Sequence, residues 1–349
     1  MKIYAICRIH NESDIAESLC RYTLLFCDGI IIYDTYSTDN TKEIIQKMIA
    51  EGLPLYLMEE PESGYSAAIN DMLRIAIERF HADLVLPVDA DEFLFCQSGD
   101  NPRSVLEALE PETEYRIPWQ TFVFTQSPND NTRFLPTFFP YHREEEVVQT
   151  FKTVISRDLF QKYGCKFALG NHSILYPNQA ASTVPVEDLS MLLAYAHYPL
   201  RGVYQAMSKC ILFEYGLSMQ IYRDYNKGFQ YKEIFDAILQ HGKLTIEEVK
   251  RFSIEYALKV PTVQLEKPLS EYVQLVEDPL VVSFDEGKLA LRYTDYSEDE
   301  NKFLRMVFST TYGFILWQTD NLRRSEEERK KLAEDIRRLE GQISDAKKA

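Results

Sequence analysis

The chain has 349 residues, a formal net charge of −16 and 45% hydrophobic residues. This length and hydrophobic content suffice for a large buried core, and they predict one large domain with an appendage. The acidic balance excludes nucleic acid as a main partner, because binding to its phosphate backbone requires clustered lysine and arginine. An anionic substrate would therefore need local cations, either basic side chains or a bound metal ion.

The six cysteines are scattered, and no pair has the C-x-x-C spacing of a structural zinc site. We interpret them as reduced, mostly buried thiols of a cytoplasmic protein. The N-terminal pattern predicts no signal peptide, and no run reaches the roughly 18 apolar residues of a transmembrane helix. We therefore expect a soluble, cytoplasmic protein that is still able to associate with the inner face of the membrane.

Strand and helix patterns alternate over the first hundred residues. Short apolar runs predict strands, and apolar residues at helical spacing lie between them. The predicted strands are 2–7, 29–33, 54–58 and 84–88, and the predicted helices are 15–26, 41–51 and 65–80. This rhythm predicts an α/β protein with a mostly parallel sheet covered on both faces, which binds ligands beyond the carboxyl ends of its strands.

The fourth predicted strand ends at three carboxylates, Asp89, Asp91 and Glu92. Carboxylate oxygens are preferred ligands of Mg²⁺ and Mn²⁺, and these ions often bring the phosphates of a substrate with them. Short acidic triplets are common by chance, and a solvated acidic turn is the alternative. The apolar strand and the place in the alternation favour the metal site. We expect Asp91 to ligate the metal, Asp89 to bind a ribose or a metal-bound water, and Glu92 to brace the turn or contact the sugar.

A second polar cluster, residues 34–41, follows the second predicted strand. Thr38, Asp39 or Asn40 can cap the next helix, which accounts for part of the cluster. Asp34 stands at the strand end and is not explained by capping. Its carboxylate could accept hydrogen bonds from the N–H groups of a nucleobase.

A third cluster contains His197, followed by Arg201 and Lys209 at the start of a predicted helix. A lone histidine is most often a packed, hydrogen-bonded residue, but the two cations nearby favour a functional role. Together these side chains could complete the metal site and neutralise a leaving diphosphate. Lys152 and His172 are further candidates for the site.

The rest of the chain divides into a mixed, aromatic-rich part, a helical part and a charged tail. Strands are predicted at 115–117, 122–124 and 150–156, helices from 200 to 252, and the span 260–296 fits neither pattern. In the tail, four apolar residues fall at spacings of four, three and four, which forms a short a/d seam. They are Leu332, Ile336, Leu339 and Ile343. The seam predicts a helix that pairs with a second copy or a partner enzyme, and a solvated single helix is the alternative.

Three segments stand in family order: Arg8-Ile9-His10-Asn11-Glu12, then Ile30 to Thr41, then Val88-Asp89-Ala90-Asp91-Glu92-Phe93. With 151–154, 170–172 and 196–201, they resemble the glycosyltransferase family 2-like proteins, in particular the D-x-D-E-F branch related to family 92. The resemblance covers about residues 1–210. It implies a GT-A fold, a nucleotide-sugar donor, with a UDP-sugar expected first, and a divalent metal, Mn²⁺ or Mg²⁺.

By this resemblance, the turn after the first strand and Asp34 line the nucleotide pocket, and the aspartates of D-x-D serve the diphosphate and the metal. The chain departs from the family at Ala68, where many members carry an arginine two residues before the position of Asn70. Contact with the diphosphate would then shift to Arg201 and Lys209. The donor-binding candidates are Arg8, Asn11, Glu12, Asp34, Asp39, Asn70, Asp89, Arg201 and Lys209, and the metal-binding candidates are Asp91, Asp89 and His197.

With this resemblance, the residues predict a metal-dependent, inverting hexosyltransferase. The resemblance further implies a role in bacterial surface glycan or glycoconjugate synthesis. The acceptor would be a glycan, a lipid-linked molecule or a protein. The predicted units are a GT-A domain (1–210), a mainly helical region that shapes the acceptor side (211–324), and a charged amphipathic helix (325–349) for oligomerisation. The candidate catalytic bases are His172, Glu144, Glu145 and Asp188, and the candidates on the sugar and acceptor side are Glu92, Lys152 and Trp119.

Trp119 could stack on a sugar face, and plain core packing is an equal alternative. Two other functions compete with glycosyl transfer. A metal-dependent nucleotidyl- or phosphoryltransferase would be expected to have a glycine-rich phosphate loop near the N-terminus, but residues 8–13 contain no glycine. A non-catalytic scaffold acting through the helical tail would not need Asp89, Asp91 and His197, which are all present.

Overall fold

The elements of the first hundred residues alternate as the sequence predicts. A computed structural model describes residues 1–59, 68–146, 149–177, 183–218, 229–258, 267–280, 282, 284 and 289–346. The first elements are β1 (Ile3–Ile9), α1 (Ala16–Thr23), β2 (Gly29–Asp34), α2 (Thr41–Ala50), β3 (Leu55–Met58), α3 (Ala68–Glu78), β4 (Leu84–Pro87), β5 (Glu92–Cys96) and α4 (Pro102–Glu107). The start of the predicted helix 65–80 lies outside the described residues.

The middle of the chain adds short strands and one short helix. They are β6 (Glu114–Thr121), β7 (Tyr141–Arg143), β8 (Phe151–Ser156), α5 (Arg157–Tyr163), β9 (Lys166–Phe167), β10 (Ile174–Leu175), β11 (Val186–Asp188) and β12 (Leu193–His197). The predicted strand 122–124 is wrong, because β6 ends at Thr121 and only Phe122 continues, as an isolated bridge to His142.

The C-terminal part is mainly helical. It contains α6 (Val203–Ser218), α7 (Phe229–His241), α8 (Ile246–Glu255), β13 (Leu275–Glu277) and α9 (Glu300–Ala346), and short 3-10 turns occur at Leu135–Phe138, Leu169–Asn171 and Leu269–Tyr272. Helix α9 begins 25 residues before the predicted tail helix at 325. The side chains of the tail seam lie outside the described ones. None of the described helices combines the length and apolarity that a bilayer crossing requires.

The central sheet has the strand order β3-β2-β1-β4-β8-β6-β12-β5, and β11 pairs beside β6. The first four strands are parallel, β8 is antiparallel to both of its neighbours, and β12 is parallel to β6 and antiparallel to β5. The predicted α/β class is confirmed. A mixed sheet flanked by helices is also consistent with the GT-A, Rossmann-like fold that the resemblance implies.

The two faces of β1 bury different residues. Ile3, Ala5 and Cys7 pack in a large core with α1 and α2, whereas Ile6 packs with α3 on the opposite face. Because both faces are covered, the strand is an almost continuous apolar run, as expected of a parallel sheet. The six cysteines are buried free thiols, as the sequence predicts.

A buried carboxylate ties the C-terminal region to this core. Glu17 of α1 is fully buried and accepts hydrogen bonds from the backbone N–H groups of Arg292, Tyr293 and Thr294 at 2.7 to 3.0 Å. The Nε of Arg21, one helical turn along, also donates to Glu17 at 2.9 Å. This contact fixes the segment that leads into α9 against α1.

Candidate functional site

Asp89 and Asp91 of the D-x-D-E sequence lie in the turn between β4 and β5, and Glu92 is the first residue of β5. The backbone N–H of Glu92 donates to the Asp89 carbonyl at 3.1 Å, and Glu92 Oε2 accepts from the Asp89 N–H at 3.0 Å. Glu92 and Asp91 are buried, whereas the Asp89 side chain keeps 44% of its surface exposed. The turn therefore presents Asp89 to solvent and holds Asp91 beneath it.

Lys152 of β8 braces this turn from inside the protein. Its buried ammonium donates to Asp89 Oδ2 at 2.6 Å and to the Gly170 carbonyl at 3.2 Å, and it lies 3.2 Å from Glu92 Oε1. Burial raises the pKa of Glu92 to about 8, although Lys152 acts in the opposite direction. Lys152 and Glu92 were candidates for sugar contact, but both are fully buried in this structure. Both side chains instead hold the turn in place. For Glu92, bracing the turn was one of the two roles expected from the sequence, and sugar contact was the other.

Three basic groups surround Asp91. Lys209 Nζ donates to Asp91 Oδ2 at 2.6 Å, and His197 Nε2 and Arg201 Nη1 lie 3.7 and 3.8 Å from the same oxygen. Burial alone would raise the pKa of Asp91, but Lys209, His197 and Arg201 hold it well below its usual range. Asp91 is therefore ionised at neutral pH despite its burial.

Strand pairing brings His197 to this carboxylate from a distant part of the sequence. The last residue of β12, His197, is in register with Glu92 of β5 and with Thr121 of β6. The next residue, Tyr198, donates its backbone N–H to the Asp91 carbonyl at 2.8 Å. The register of β12 therefore fixes the imidazole beside Asp91.

Trp119 of β6 stacks on this histidine. The two ring centroids are 4.4 Å apart with an interplanar angle of 26°, and the ring of His172 approaches the indole edge at 5.4 Å. Lys152 Nζ lies 5.6 Å from the centre of the Trp119 ring. Trp119 belongs to the wall of the site, where it holds the imidazole plane. From the sequence alone, core packing and sugar stacking were equal alternatives for Trp119.

Arg201 is completely buried beneath the site. Its Nε donates to Asp14 Oδ2 at 2.8 Å, its Nη1 donates to the Tyr198 carbonyl at 3.0 Å, and its Nη2 donates to Glu12 and Asp14. Burial raises the pKa of Glu12 to about 7, and Arg201 works against that shift. The sequence suggested Arg201 as a diphosphate contact, but here its donors are directed to protein carboxylates. Asp14 is a partner that the sequence reasoning missed.

The turns after β1 and β2 are bonded to each other. Asn11 Oδ1 accepts from the Thr38 N–H at 2.7 Å, the Glu12 N–H donates to Thr41 Oγ1 at 2.8 Å, and Asp39 Oδ2 accepts from the Ser13 N–H at 3.0 Å. Asp39 therefore links the two turns, and the adjacent Asn40 makes no capping bond with its side chain. Asp34 Oδ1 accepts from the Ser37 N–H at 3.3 Å and is partly exposed.

The first turns of α9 cover these two polar turns. Thr310 Oγ1 lies 2.9 Å from Thr38 Oγ1 and accepts from Asn11 Nδ2 at 3.4 Å, and Thr38 Oγ1 donates to the Met306 carbonyl at 3.3 Å. A small cavity of about 70 Å³ lies between Asn11, Asp39, Arg201 and the start of α9. No sequence signal indicated that α9 would close this side. A larger cavity of about 310 Å³ opens near Met1 and Arg157, away from the carboxylates.

The candidate bases are spread over the molecule. His172 lies beside Trp119, and its Nδ1 is 2.9 Å from the Phe151 carbonyl. Partial burial and the nearby Lys152 lower the pKa of His172. Glu144 and Glu145 are exposed after β7. Asp188 of β11 is in register with Arg116 of β6, whereas His197 is in register with Thr121, five residues further along β6. Five residues of a strand span about 17 Å, so Asp188 is remote from His197.

Two of the donor candidates lie on α3 and β1. Asn70 of α3 clamps the backbone of Phe167, with bonds of 2.9 and 3.2 Å to its N–H and carbonyl. Arg8 is exposed on β1, where it is in register with Tyr33 of β2. Asn70 thus fixes β9 against α3 in this structure.

The donor set at the turn fits a divalent cation that takes few protein ligands. Asp91 and His197 offer a carboxylate oxygen and an imidazole nitrogen 3.7 Å apart. The described residues contain no group of three or more His, Cys, Asp or Glu side chains that could hold a metal. Mg²⁺ typically binds one or two carboxylates and completes its coordination with substrate phosphates and water, so two ligands are compatible with such a site.

The sheet and the polar cluster at its carboxyl edge are those of an α/β protein in which ligands bind beyond the strand ends. Residues 15–98 match the family model described as Glycosyl transferase family 2, and this match includes Asp34, Asp89 and Asp91. The match supports glycosyltransferase activity. A comparison with the curated proteins gives no match.

Several solved structures of glycosyltransferases are similar to this chain. S. aureus TarS aligns at 12% identity over 69% of this chain and 44% of TarS, with a TM-score of 0.31, so the chain spans less than half of that protein. TarS 1–349 in complex with UDP aligns at 13% identity over 74% and 81% of the two chains, with a TM-score of 0.32.

The mannosyltransferase PcManGT from Pyrobaculum calidifontis, in complex with GDP-Man and Mn²⁺, aligns at 22% identity. That alignment covers 33% of this chain and 35% of PcManGT, with a TM-score of 0.25. At such identities and TM-scores these likenesses carry no inference about function.

Proposed function

We propose that this protein transfers a sugar from a nucleoside-diphosphate sugar to an acceptor hydroxyl. The observation that carries the proposal is the arrangement of Asp89 and Asp91 beside His197 and Lys209, at the end of a strand within the matched family 2 segment. Ligands of open α/β sheets bind at this edge. A nucleotide would bind beside Asp34, which is partly exposed after β2, with its diphosphate directed towards the carboxylates.

A divalent cation, Mn²⁺ or Mg²⁺, would be held by Asp91 and His197, with Asp89 next to it. When bound, the cation supplies positive charge that stabilises the departing nucleoside diphosphate. Lys209 would supply a further positive charge to the diphosphate, since its ammonium lies beside this carboxylate cluster. Trp119 keeps the plane of His197 fixed while the diphosphate is held.

His172 is the base that the geometry favours among the four candidates. The Phe151 carbonyl only accepts hydrogen bonds, so the Nδ1 that lies 2.9 Å from it carries the proton. Its lowered pKa keeps the ring neutral at pH 7, so Nε2 has a free lone pair.

As the acceptor oxygen forms its bond to the anomeric carbon, its proton passes to His172 Nε2. The bond from that carbon to the diphosphate oxygen breaks, and the electron pair leaves with the diphosphate. Attack opposite the leaving group inverts the anomeric carbon.

The finer assignments follow from this function. We propose a UDP-sugar as the first donor to test, a hexosyl group as the cargo, and membership of the D-x-D-E-F branch related to family 92. The acceptor would be a glycan, a lipid-linked molecule or a protein in bacterial surface glycan or glycoconjugate synthesis. Residues 1–210 would form the catalytic domain, 211–324 the acceptor side and 325–349 an oligomerisation helix, with association at the inner membrane face.

A ligand screen followed by a turnover assay tests the proposal. Thermal unfolding would be measured with UDP, GDP and their sugars, each with and without Mn²⁺, because a ligand of the native state raises the melting temperature. Asp91→Asn should abolish donor turnover. It should also lower the unfolding temperature, because the buried carboxylate compensates Lys209, His197 and Arg201, so turnover would be measured at a temperature where the variant is folded. Asp188→Asn is the matched control, since it changes an exposed carboxylate remote from His197. Unchanged turnover in Asp91→Asn would reject the site.

A further inference from the structure

The ammonium of Lys209 is bonded to the Asp91 oxygen that would ligate a divalent cation. Lys209 lies on α6 and donates to Asp91 Oδ2 at 2.6 Å, while it also donates to the Pro199 carbonyl at 3.2 Å. Oδ2 is also the oxygen that His197 Nε2 approaches at 3.7 Å. The ammonium and the imidazole thus approach the same carboxylate oxygen.

A divalent cation and this ammonium cannot share the position. Metal–oxygen bonds of Mg²⁺ are about 2.0–2.1 Å long, so a cation on Asp91 Oδ2 would lie within a few ångströms of Lys209 Nζ. Both groups are positive, and in a buried site their repulsion is poorly screened. Binding of the cation at this oxygen therefore requires Lys209 to move.

Among the described residues, the Lys209 side chain is held by fewer hydrogen bonds than the side chain of the neighbouring Arg201. The Lys209 side chain is 22% exposed and carries its ammonium on a flexible four-carbon stem. Within the part of the chain that the structure describes, it donates to Asp91 and Pro199. Arg201 is fully buried, with donors taken by Glu12 and Asp14. Of these two basic residues, Lys209 is therefore the one that would leave Asp91 when a cation binds.

We propose that Lys209 neutralises Asp91 in the donor-free protein and moves to the diphosphate when the donor brings the cation. This inference rests on the proposed function and deepens it. In the free protein Lys209 opposes cation binding, and in the complex it binds the diphosphate. Nucleotide and cation therefore strengthen each other's binding, by the same factor for both.

The primary test measures Mn²⁺ binding to the full chain without nucleotide, by electron paramagnetic resonance. The variants are Lys209→Met, which keeps the length and removes the charge, and Lys209→Gln as a polar second variant. We expect either variant to bind Mn²⁺ about tenfold more tightly than the wild type, because the competing ammonium is gone. Lys232→Met on α7 is the control, since it removes an exposed lysine that pairs with Asp236, and it should change nothing.

The second arm measures UDP binding by calorimetry, with Mn²⁺ and with EDTA. In the wild type Mn²⁺ should tighten UDP binding about tenfold or more, and in Lys209→Met this factor should shrink while UDP binding with Mn²⁺ weakens. Equal Mn²⁺ affinity in wild type and both variants would overturn the inference.

Two further outcomes separate the inference from the proposed function. Tight UDP binding in EDTA that is lost in Lys209→Met would also overturn the inference, because Lys209 would then replace the metal permanently. If the wild type bound no nucleotide in either condition, the proposed function would fail, and the Mn²⁺ arm would still decide whether Lys209 competes for Asp91.

Discussion

Arg201 offers a decisive contrast between a donor contact and a structural brace. Replacing it with methionine removes five N–H donors from a position that has no exposed side-chain surface. The carboxylates of Glu12 and Asp14 and the carbonyl of Tyr198 then lose their partner. Glu12 and Asp14 are themselves only 13% and 19% exposed, so solvent replaces the lost bonds incompletely.

The expected loss of stability follows from this burial. Removal of one partner from a buried ion pair typically costs about 3–5 kcal/mol, because the remaining charge is left uncompensated. In a protein of this size each kcal/mol lowers the melting temperature by about 2–4 °C, so we expect a fall of roughly 10 °C. Adding Glu12→Gln to Arg201→Met should restore part of the loss, since it removes one of the unpaired carboxylates.

Chemical denaturation and calorimetric nucleotide titration would be applied to the same samples. A brace predicts a large loss of stability for Arg201→Met, with partial rescue in the double variant. If Arg201→Met keeps the wild-type stability within about 1 kcal/mol and loses only nucleotide affinity, Arg201 is a donor contact and the burial reasoning is wrong.

Three further predictions concern other buried groups. Glu17→Ala should destabilise the protein by about 3 kcal/mol in urea unfolding, because the N–H groups of Arg292–Thr294 lose a charged acceptor, whereas a change below about 1 kcal/mol would show that water replaces it. Gly170→Ala should strongly reduce donor turnover and leave the fold intact. Its Cβ would lie 2.7 Å from the His172 ring at a φ of +80°, and wild-type turnover would contradict the placement of this base. The contribution of Glu12 to stability should fall as the pH rises from about 4.5 to about 7, because folded Glu12 keeps a proton that the unfolded chain has released. Urea unfolding from pH 5 to 8 should show a flatter profile in Glu12→Gln, and an equal slope would exclude Glu12 as its source.

The sequence by itself determined the local architecture around the site. Apolar runs and helical spacing gave β1 to β4 and the helices between them, because these patterns reflect periodicity along one stretch of chain. The acidic cluster at Asp89 and Asp91 could be placed at the carboxyl edge of the sheet for the same reason. Parallel strands bring their ends together, so the polar turns after β1, β2 and β4 had to meet.

Only the tertiary structure decided what each charged side chain contacts. Lys152 braces Asp89 from 63 residues away, Arg201 is committed to Glu12 and Asp14, and Thr310 of α9 touches Asn11 across 299 residues. Such pairs depend on strand register and helix packing, which no local pattern records. The same holds for burial, since the sequence could name a lysine, an arginine or a glutamate but not the environment that decides whether it binds a ligand or holds a turn.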